Sequence, residues 1–93
     1  MDPFKVVLTK TAESDLLKLD PKRRMKVLEA IKKLETSPFP RGNVIKRLKG
    51  VKPPLYRLRV GDYRVIYHLE ERDVKVLFVI ARKDLEWALK KFL

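Results

Sequence analysis

The stretch YRLRVGDYRVIY, Tyr56 to Tyr67, leaves the chain little freedom in how it folds. Two runs rich in β-branched and aromatic residues flank Gly61-Asp62, which suits a two-residue hairpin turn with glycine at a position of positive φ. Such a turn sets the register: Val60 faces Tyr63, Arg59 faces Arg64, Leu58 faces Val65 and Arg57 faces Ile66. Side chains alternate along a strand, so Tyr56, Leu58, Val60, Val65 and Tyr67 share one face and form a candidate core. Arg57, Arg59 and Arg64 share the other face, within about one ligand's width. A directly opposed like-charge pair costs a few tenths to ~1 kcal/mol. One reading is a solvated face with splayed side chains and Glu70 or Glu86 as counter-ion. The other is a phosphate cradle, because guanidinium presents a planar donor fork that matches phosphate oxygens and stays charged at any working pH.

The flanking sequence supplies the remaining elements. FKVVLTK, Phe4 to Lys10, reads as a strand. Thr11 is placed to cap a short helix carrying Ala12, Leu16 and Leu19. Asp20 and Pro21 suit the cap and first position of a second helix, with Val27, Leu28, Ile31 and Leu34 at helical spacing. TSPFPRGN ends this helical hairpin, and VIKRLKGVKPP follows as a basic connector. Strands are expected over Leu55 to Val60, Tyr63 to Glu70 and Val74 to Ala81. RKDLEWALKKFL closes the chain as a helix with Leu85, Leu89 and Phe92 on one face. These elements make a single α+β domain over residues 1–93, with helices packed on a small twisted sheet.

Charge narrows the function classes. The formal net charge is +11, and it is uneven: residues 1–40 hold nine basic and six acidic side chains, residues 41–93 fourteen and six. Such a concentrated field points to a polyanionic partner, nucleic acid or an acidic protein. A generally basic surface is the plainer alternative, and the abundance of Lys, Arg and Glu with no Gln and one Asn fits a thermophile. The chain has no Cys and one His, so no disulfide framework, thiolate zinc site, metal or cofactor is expected. No apolar stretch approaches the ~18 residues of a membrane span, and the expected location is the cytoplasm.

LKGVKPPLYRLRVGDYRVIYHLEE resembles the centre of RelE/ParE-superfamily toxins, whose typical form is L-x-G followed by Y-R-[IL]-R-x-G-x-Y-R-[IVL]-x-Y. LKG at Leu48 to Gly50 and RKD at Arg82 to Asp84 fall where the family places like residues, and the element order agrees along the whole chain. The resemblance implies a RelE-like sandwich: N-terminal strand, helical hairpin, three-stranded antiparallel meander, C-terminal helix. It also implies the toxin of a type II toxin–antitoxin pair, a metal-independent endoribonuclease that cuts mRNA in the ribosomal A site. There the 2′-hydroxyl attacks the adjacent phosphate, leaving a 2′,3′-cyclic phosphate and a 5′-hydroxyl. The family's basic catalytic positions match Arg57, Arg59, Arg64 and Arg82, with Lys83 as the substitute for Arg82. The implied partners are the ribosome, mRNA and an acidic RelB-like antitoxin that wraps the toxin. Some members carry Lys where this chain has Arg57 and Arg59. Many carry a Tyr shortly after the RKD-like segment, where this chain has Leu85, Glu86 and Trp87.

Further RNA-contact candidates are Lys46, Arg47, Lys49 and Lys52 of the connector, Lys83, and Trp87, whose ring can stack on any base or pack the last helix. His68 shares the arginine face but lies ~13 Å along the strand from Arg64 at ~3.3 Å per residue, so a structural role suits it better than that of a base. KRRMK, Lys22 to Lys26, is either a ribosomal-RNA contact or a wet helix face. Two other functions use the same fold: a ParE-type protein that blocks DNA gyrase by binding, and a nucleic-acid-binding module without activity.

Overall fold

The computed structural model describes residues 3–92, with the backbone alone for Phe92. Strand β1 covers Lys5–Leu8, shorter than expected, because Thr9 leaves it to cap helix α1, Lys10–Leu17. The Thr9 hydroxyl accepts from the Ala12 amide at 3.1 Å and donates to the Leu77 carbonyl at 2.7 Å. Thr9 rather than Thr11 is therefore the cap: its hydroxyl meets both the open end of the helix and the neighbouring sheet. Helix α2, Pro21–Lys32, starts as expected, with Asp20 accepting from the Arg23 amide at 2.9 Å. Arg24 fastens the hairpin. Its Nε donates to the Leu16 carbonyl and its Nη2 to those of Leu17 and Leu19, at and just beyond the end of α1.

The sheet has five strands in the order β1-β5-β4-β3-β2, with β1 parallel to β5 and the other pairs antiparallel. Strands β3 (Tyr56–Val60), β4 (Tyr63–Glu70) and β5 (Asp73–Ala81) form the expected meander, and β3 pairs β4 in the expected register. The connector is where expectation fails. It contains β2, Ile45–Arg47, which pairs with β3 and makes the meander four-stranded. Only Ile45 is buried there, so three residues with two cations carry too little alternation to read as a strand.

Strand β5 contains a bulge. Ile66 pairs with Phe78 and Tyr67 with Val76, leaving Leu77 as the extra residue. The bulge reverses the alternation: Val74, Val76 and Val79 face α1 and α2, while Phe78 joins the opposite cluster. Asp15 of α1 accepts from the Val79 amide at 3.0 Å, and with Thr9 it holds the bulged segment at both ends.

Two clusters result. Ala12, Leu16, Val27, Ile31 and Leu34 pack on Ile45, Leu58, Val65 and Tyr67; Leu28 sits at the margin, 37% exposed. Tyr67 is wholly buried, stacks on Tyr56, and donates its hydroxyl to the Pro38 carbonyl at 2.8 Å. On the other face, Val51, Leu55, Ile66 and Phe78 are covered by Leu85, Ala88 and Leu89. Those three residues belong to helix α3, Leu85–Phe92, so α3 lies across the sheet from the hairpin, on the face that carries the arginines. The expected apolar contact of Phe92 falls outside the described residues. Among the described residues no helix is long and apolar enough to cross a membrane.

Candidate active site

The site is built around the β3–β4 turn. Gly61 takes φ +57°, as the turn requires, and Arg59 and Arg64 then stand directly opposed. They are not equivalent. Arg59 is exposed, whereas Arg64 is only 6% exposed and lies at the floor of the cluster. Its Nη1 donates to the carbonyls of Gly61 at 2.9 Å and Tyr63 at 2.8 Å. Its Nε and Nη2 have no protein partner among the described residues, so one edge of the buried guanidinium is left for a ligand. Burial first, then the charges of Arg57, Arg59 and Arg82, push the Arg64 pKa below its ordinary value; Asp62 opposes them. All three arginines therefore lie within electrostatic reach of the buried one.

Each of the three is held differently. Arg57 is half-buried, with Nη2 donating to the Asn43 carbonyl at 2.8 Å and Nε buried without a partner. Arg82 begins a 3-10 helix, Arg82–Asp84, and its backbone amide donates to Asp62 at 2.7 Å. That bond ties the end of β5 to the β3–β4 turn and so brings Arg82 to the arginine face. Among the described residues the ion pairs are Asp20 with Arg23 and Glu70 with Lys75, and the His68 Nε2 lies 4.0 Å from Glu70. None neutralises the arginine cluster, and the proposed Glu70 and Glu86 counter-ions do not form there. The arrangement can bind a phosphate and stabilise charge developing on it.

The connector residues surround this cluster in part. Lys46 is exposed on β2 opposite Arg57. Arg47, Lys49 and Lys52 line a cavity of about 660 Å³ with Leu48, Gly50 and Val51. Arg82 and Lys83 line another of about 490 Å³ with Asp62, Tyr63 and Ala81. Trp87 is not brought to either. It is 62% exposed, under the Lys91 ammonium at 4.9 Å, and lines a separate cavity with Thr11, Leu77, Phe78 and Ala88. His68 stands apart as well, with Nδ1 3.3 Å from the Pro54 carbonyl and Nε2 4.0 Å from Glu70. Within KRRMK, Arg23 pairs with Asp20 and Arg24 is committed to α1. Sequence reasoning missed Asn43 as the support of Arg57, and Asp62 and Tyr63 as cavity walls. The turn itself was the available signal, since its backbone carbonyls must find donors.

A family model described as ParE toxin of type II toxin–antitoxin system, parDE, matches residues 6–86. RelE1 of Methanocaldococcus jannaschii, a curated protein named as a toxin, is 42% identical over 65 residues, which cover 69% of this chain and 71% of that one. A chain of the RelE–RelB complex from Pyrococcus horikoshii superposes with a TM-score of 0.73 at 32% identity, covering 86% of this chain and 96% of its own length. A chain of the RelBE2 toxin–antitoxin complex from Mycobacterium tuberculosis gives 0.74 at 31% identity, over 86% and 99%.

Proposed function

The chain belongs to the ParE toxin family of type II toxin–antitoxin systems, within the RelE/ParE superfamily, and from that premise we propose that it is a RelE-type endoribonuclease that cuts mRNA in the ribosomal A site. The observation that carries this reading is the gathering of Arg57, Arg59 and Arg82 around a buried Arg64 with an unpaired edge. Such a site is matched to a phosphate that gains charge in a transition state. The 2′-hydroxyl oxygen attacks phosphorus, the bond from phosphorus to the 5′-oxygen breaks, and the products are a 2′,3′-cyclic phosphate and a 5′-hydroxyl. The attacking hydroxyl gives its proton to water and the leaving oxygen takes one back. Arginine holds its proton too tightly to act readily as the base. The chain's part is electrostatic: Arg57 and Arg59 grip the phosphate, Arg64 supports it from below, and Arg82 meets the leaving oxygen. Arg47, Lys49 and Lys52 hold the flanking backbone, and Lys46 adds charge beside Arg57.

An antitoxin partner follows from the same premise, because the similar solved chains come from complexes named for toxin and antitoxin together. An acidic antitoxin segment is steered by the net charge of +11. A toxin that acts on ribosomes and is held by an antitoxin works in the cytoplasm, and that location is part of the proposal. The matched family description favours one other reading, a ParE-type inhibitor that binds DNA gyrase and cuts no RNA. Incubating the protein with translating ribosomes and mapping new 5′-hydroxyl ends decides between them. New ends within the A-site codon support cleavage. Their absence together with inhibition of gyrase supercoiling supports the second reading. The absence of both leaves a module that binds nucleic acid without activity.

A further inference from the structure

Three successive carbonyls of the β3–β4 turn accept hydrogen bonds from the arginine cluster. Gly61 and Tyr63 accept from Nη1 of Arg64 at 2.9 and 2.8 Å. Asp62, between them, accepts from the Arg82 backbone amide at 2.7 Å. One turn thus carries the buried arginine by its side chain and Arg82 by its backbone. The turn is itself anchored from behind. Val60 and Tyr63, which flank it, pack against the hairpin cluster on the opposite face of the sheet. Tyr63 also pairs with Ala81, the last residue of β5, and Asp15 of α1 holds the nearby Val79 amide at 3.0 Å.

The direction of these carbonyls depends on Gly61. Its φ is +57°, yet a Cβ there would meet nothing within 4 Å, so crowding does not demand a glycine. Backbone geometry does. The Gly61 carbonyl belongs to the central peptide of the turn, and turn types differ in how that peptide is oriented. A residue that resists positive φ must rotate the peptide. The Gly61 carbonyl then leaves Arg64, and the Asp62 carbonyl leaves the Arg82 amide.

We propose that Gly61 is a positioning residue of the site: by holding positive φ it aims the turn carbonyls that set Arg64 and Arg82 against the same phosphate. The roles of those two arginines are taken from the ribonuclease reading. Gly61 has no side chain to touch a substrate, so it acts only through the arginines. Its loss should therefore slow the chemical step and spare binding to the ribosome, which the cations of the connector support.

The test compares the wild type with Gly61→Val and Gly61→Asn. Valine is strongly disfavoured at positive φ, whereas asparagine is among the residues that fill such turn positions. Hydrogen exchange of the Arg82 amide should be slow in the wild type and in Gly61→Asn, and about tenfold or more faster in Gly61→Val. Titration with inorganic phosphate, followed by the arginine Nε signals, should show about tenfold weaker binding in Gly61→Val, the low end for one charge-assisted hydrogen bond, and near wild-type binding in Gly61→Asn. Single-turnover cleavage on ribosomes should fall about 100-fold in Gly61→Val at unchanged ribosome affinity, as for a small misplacement of reacting groups, and recover in Gly61→Asn. Gly61→Ala carries the same comparison if Gly61→Val does not fold. A wild-type Arg82 amide that exchanges freely, a folded Gly61→Val with unchanged phosphate affinity, or a Gly61→Asn as weak as Gly61→Val overturns the proposal. A Gly61→Val that cleaves like the wild type sinks the positioning role and leaves the ribonuclease reading standing. No cleavage by the wild type, with exchange and phosphate binding as expected, sinks the ribonuclease reading and leaves Gly61 as the residue that positions an anion site.

Discussion

Replacing Arg64 with alanine removes a charge that is at once buried, bonded and repelled. Its Nη1 serves two turn carbonyls, Gly61 and Tyr63. Bonds from a charged donor contribute ~1.5–3 kcal/mol each, and two from one nitrogen sum to less than twice that. Against them stand the relief of the opposed Arg59, a few tenths to ~1 kcal/mol, and of the nearby Arg57 and Arg82 charges. If the arginine face were open and solvated, the substitution would leave stability level or raise it. The buried placement reverses the sign, to a net loss of ~1–2 kcal/mol once the two carbonyls lose their donor. For a domain of this size ~4–8 °C accompanies each kcal/mol, so the melting temperature should fall by roughly 4–16 °C. Cleavage, measured in single turnover on programmed ribosomes at a temperature where the variant is folded, should fall by ~100-fold or more, comparable to losing one oxyanion donor. Arg64→Lys keeps the charge but lacks the fork needed to hold the turn and face a phosphate together, so it should recover stability more than activity. A variant that melts early yet cleaves normally per folded molecule makes Arg64 purely structural. One that melts like the wild type shows that the carbonyl bonds carry no weight.

Three further outcomes follow from particular contacts. Expression without antitoxin should arrest growth; Arg82→Ala should restore it at an unchanged melting temperature and Lys83→Ala should not, because the Arg82 charge acts on the buried Arg64; rescue by Lys83→Ala alone exchanges their roles. Thr9→Val removes the cap of α1 and the donor to Leu77, and should cost ~1–2 kcal/mol in urea unfolding, with Thr9→Ser close to wild type. Burial raises the Tyr67 phenol above its ordinary value of 10.0, so its contribution to stability is complete below about that pH and is lost as pH rises beyond it; alkaline melts of Tyr67→Phe should show a shallower decline, and an identical pH slope removes Tyr67 from the account.

The hairpin was legible because two physical rules fix it: a two-residue turn sets register and strand alternation sets faces. The Asp20 cap and the core positions Ala12, Leu16, Val27, Ile31 and Leu34 could be read for the same reason, since each rests on local spacing, whereas Leu19 falls beyond the end of α1 and Leu28 stays at the margin. What escaped depends on groups distant in the chain. Thr9 outcompetes Thr11 as a cap because Leu77, far along the sequence, accepts its proton. The bulge in β5 changes which side chains face α3, and Asp15 of the first helix and its cap Thr9 hold it. Strand β2 exists because β3 offers an open edge to a basic segment with one apolar residue. Arg82 and Lys83 could not be told apart by strand alternation, because β5 ends at Ala81 and both residues line one cavity. At the site, arginine identity could be read from sequence; the difference in depth between Arg59 and Arg64 could not, because α3 packs on that same face.

The packing of α3 also bears on how so small a fold carries opposed arginines. Ile66 and Phe78, which share the arginine face, are buried beneath Leu85, Ala88 and Leu89. Burying one large apolar side chain contributes ~1.5–3 kcal/mol, more than the few tenths to ~1 kcal/mol of a directly opposed like-charge pair. The same sheet face thus gains stability at one end and gives some up at the other. The repulsion could have been removed by an acidic neighbour, yet none pairs with the cluster among the described residues. On the ribonuclease reading, an internal counter-ion would neutralise the field meant for the phosphate. Arg57 and Arg64 each bond carbonyls through one nitrogen and, among the described residues, pair with no carboxylate, so on the ribonuclease reading an arriving anion displaces no counter-ion and strengthens the folded state as it binds. On this account the apolar end of the face supports the charged end, and a loss of packing under α3 lowers activity by loosening the arginines before it unfolds the sheet.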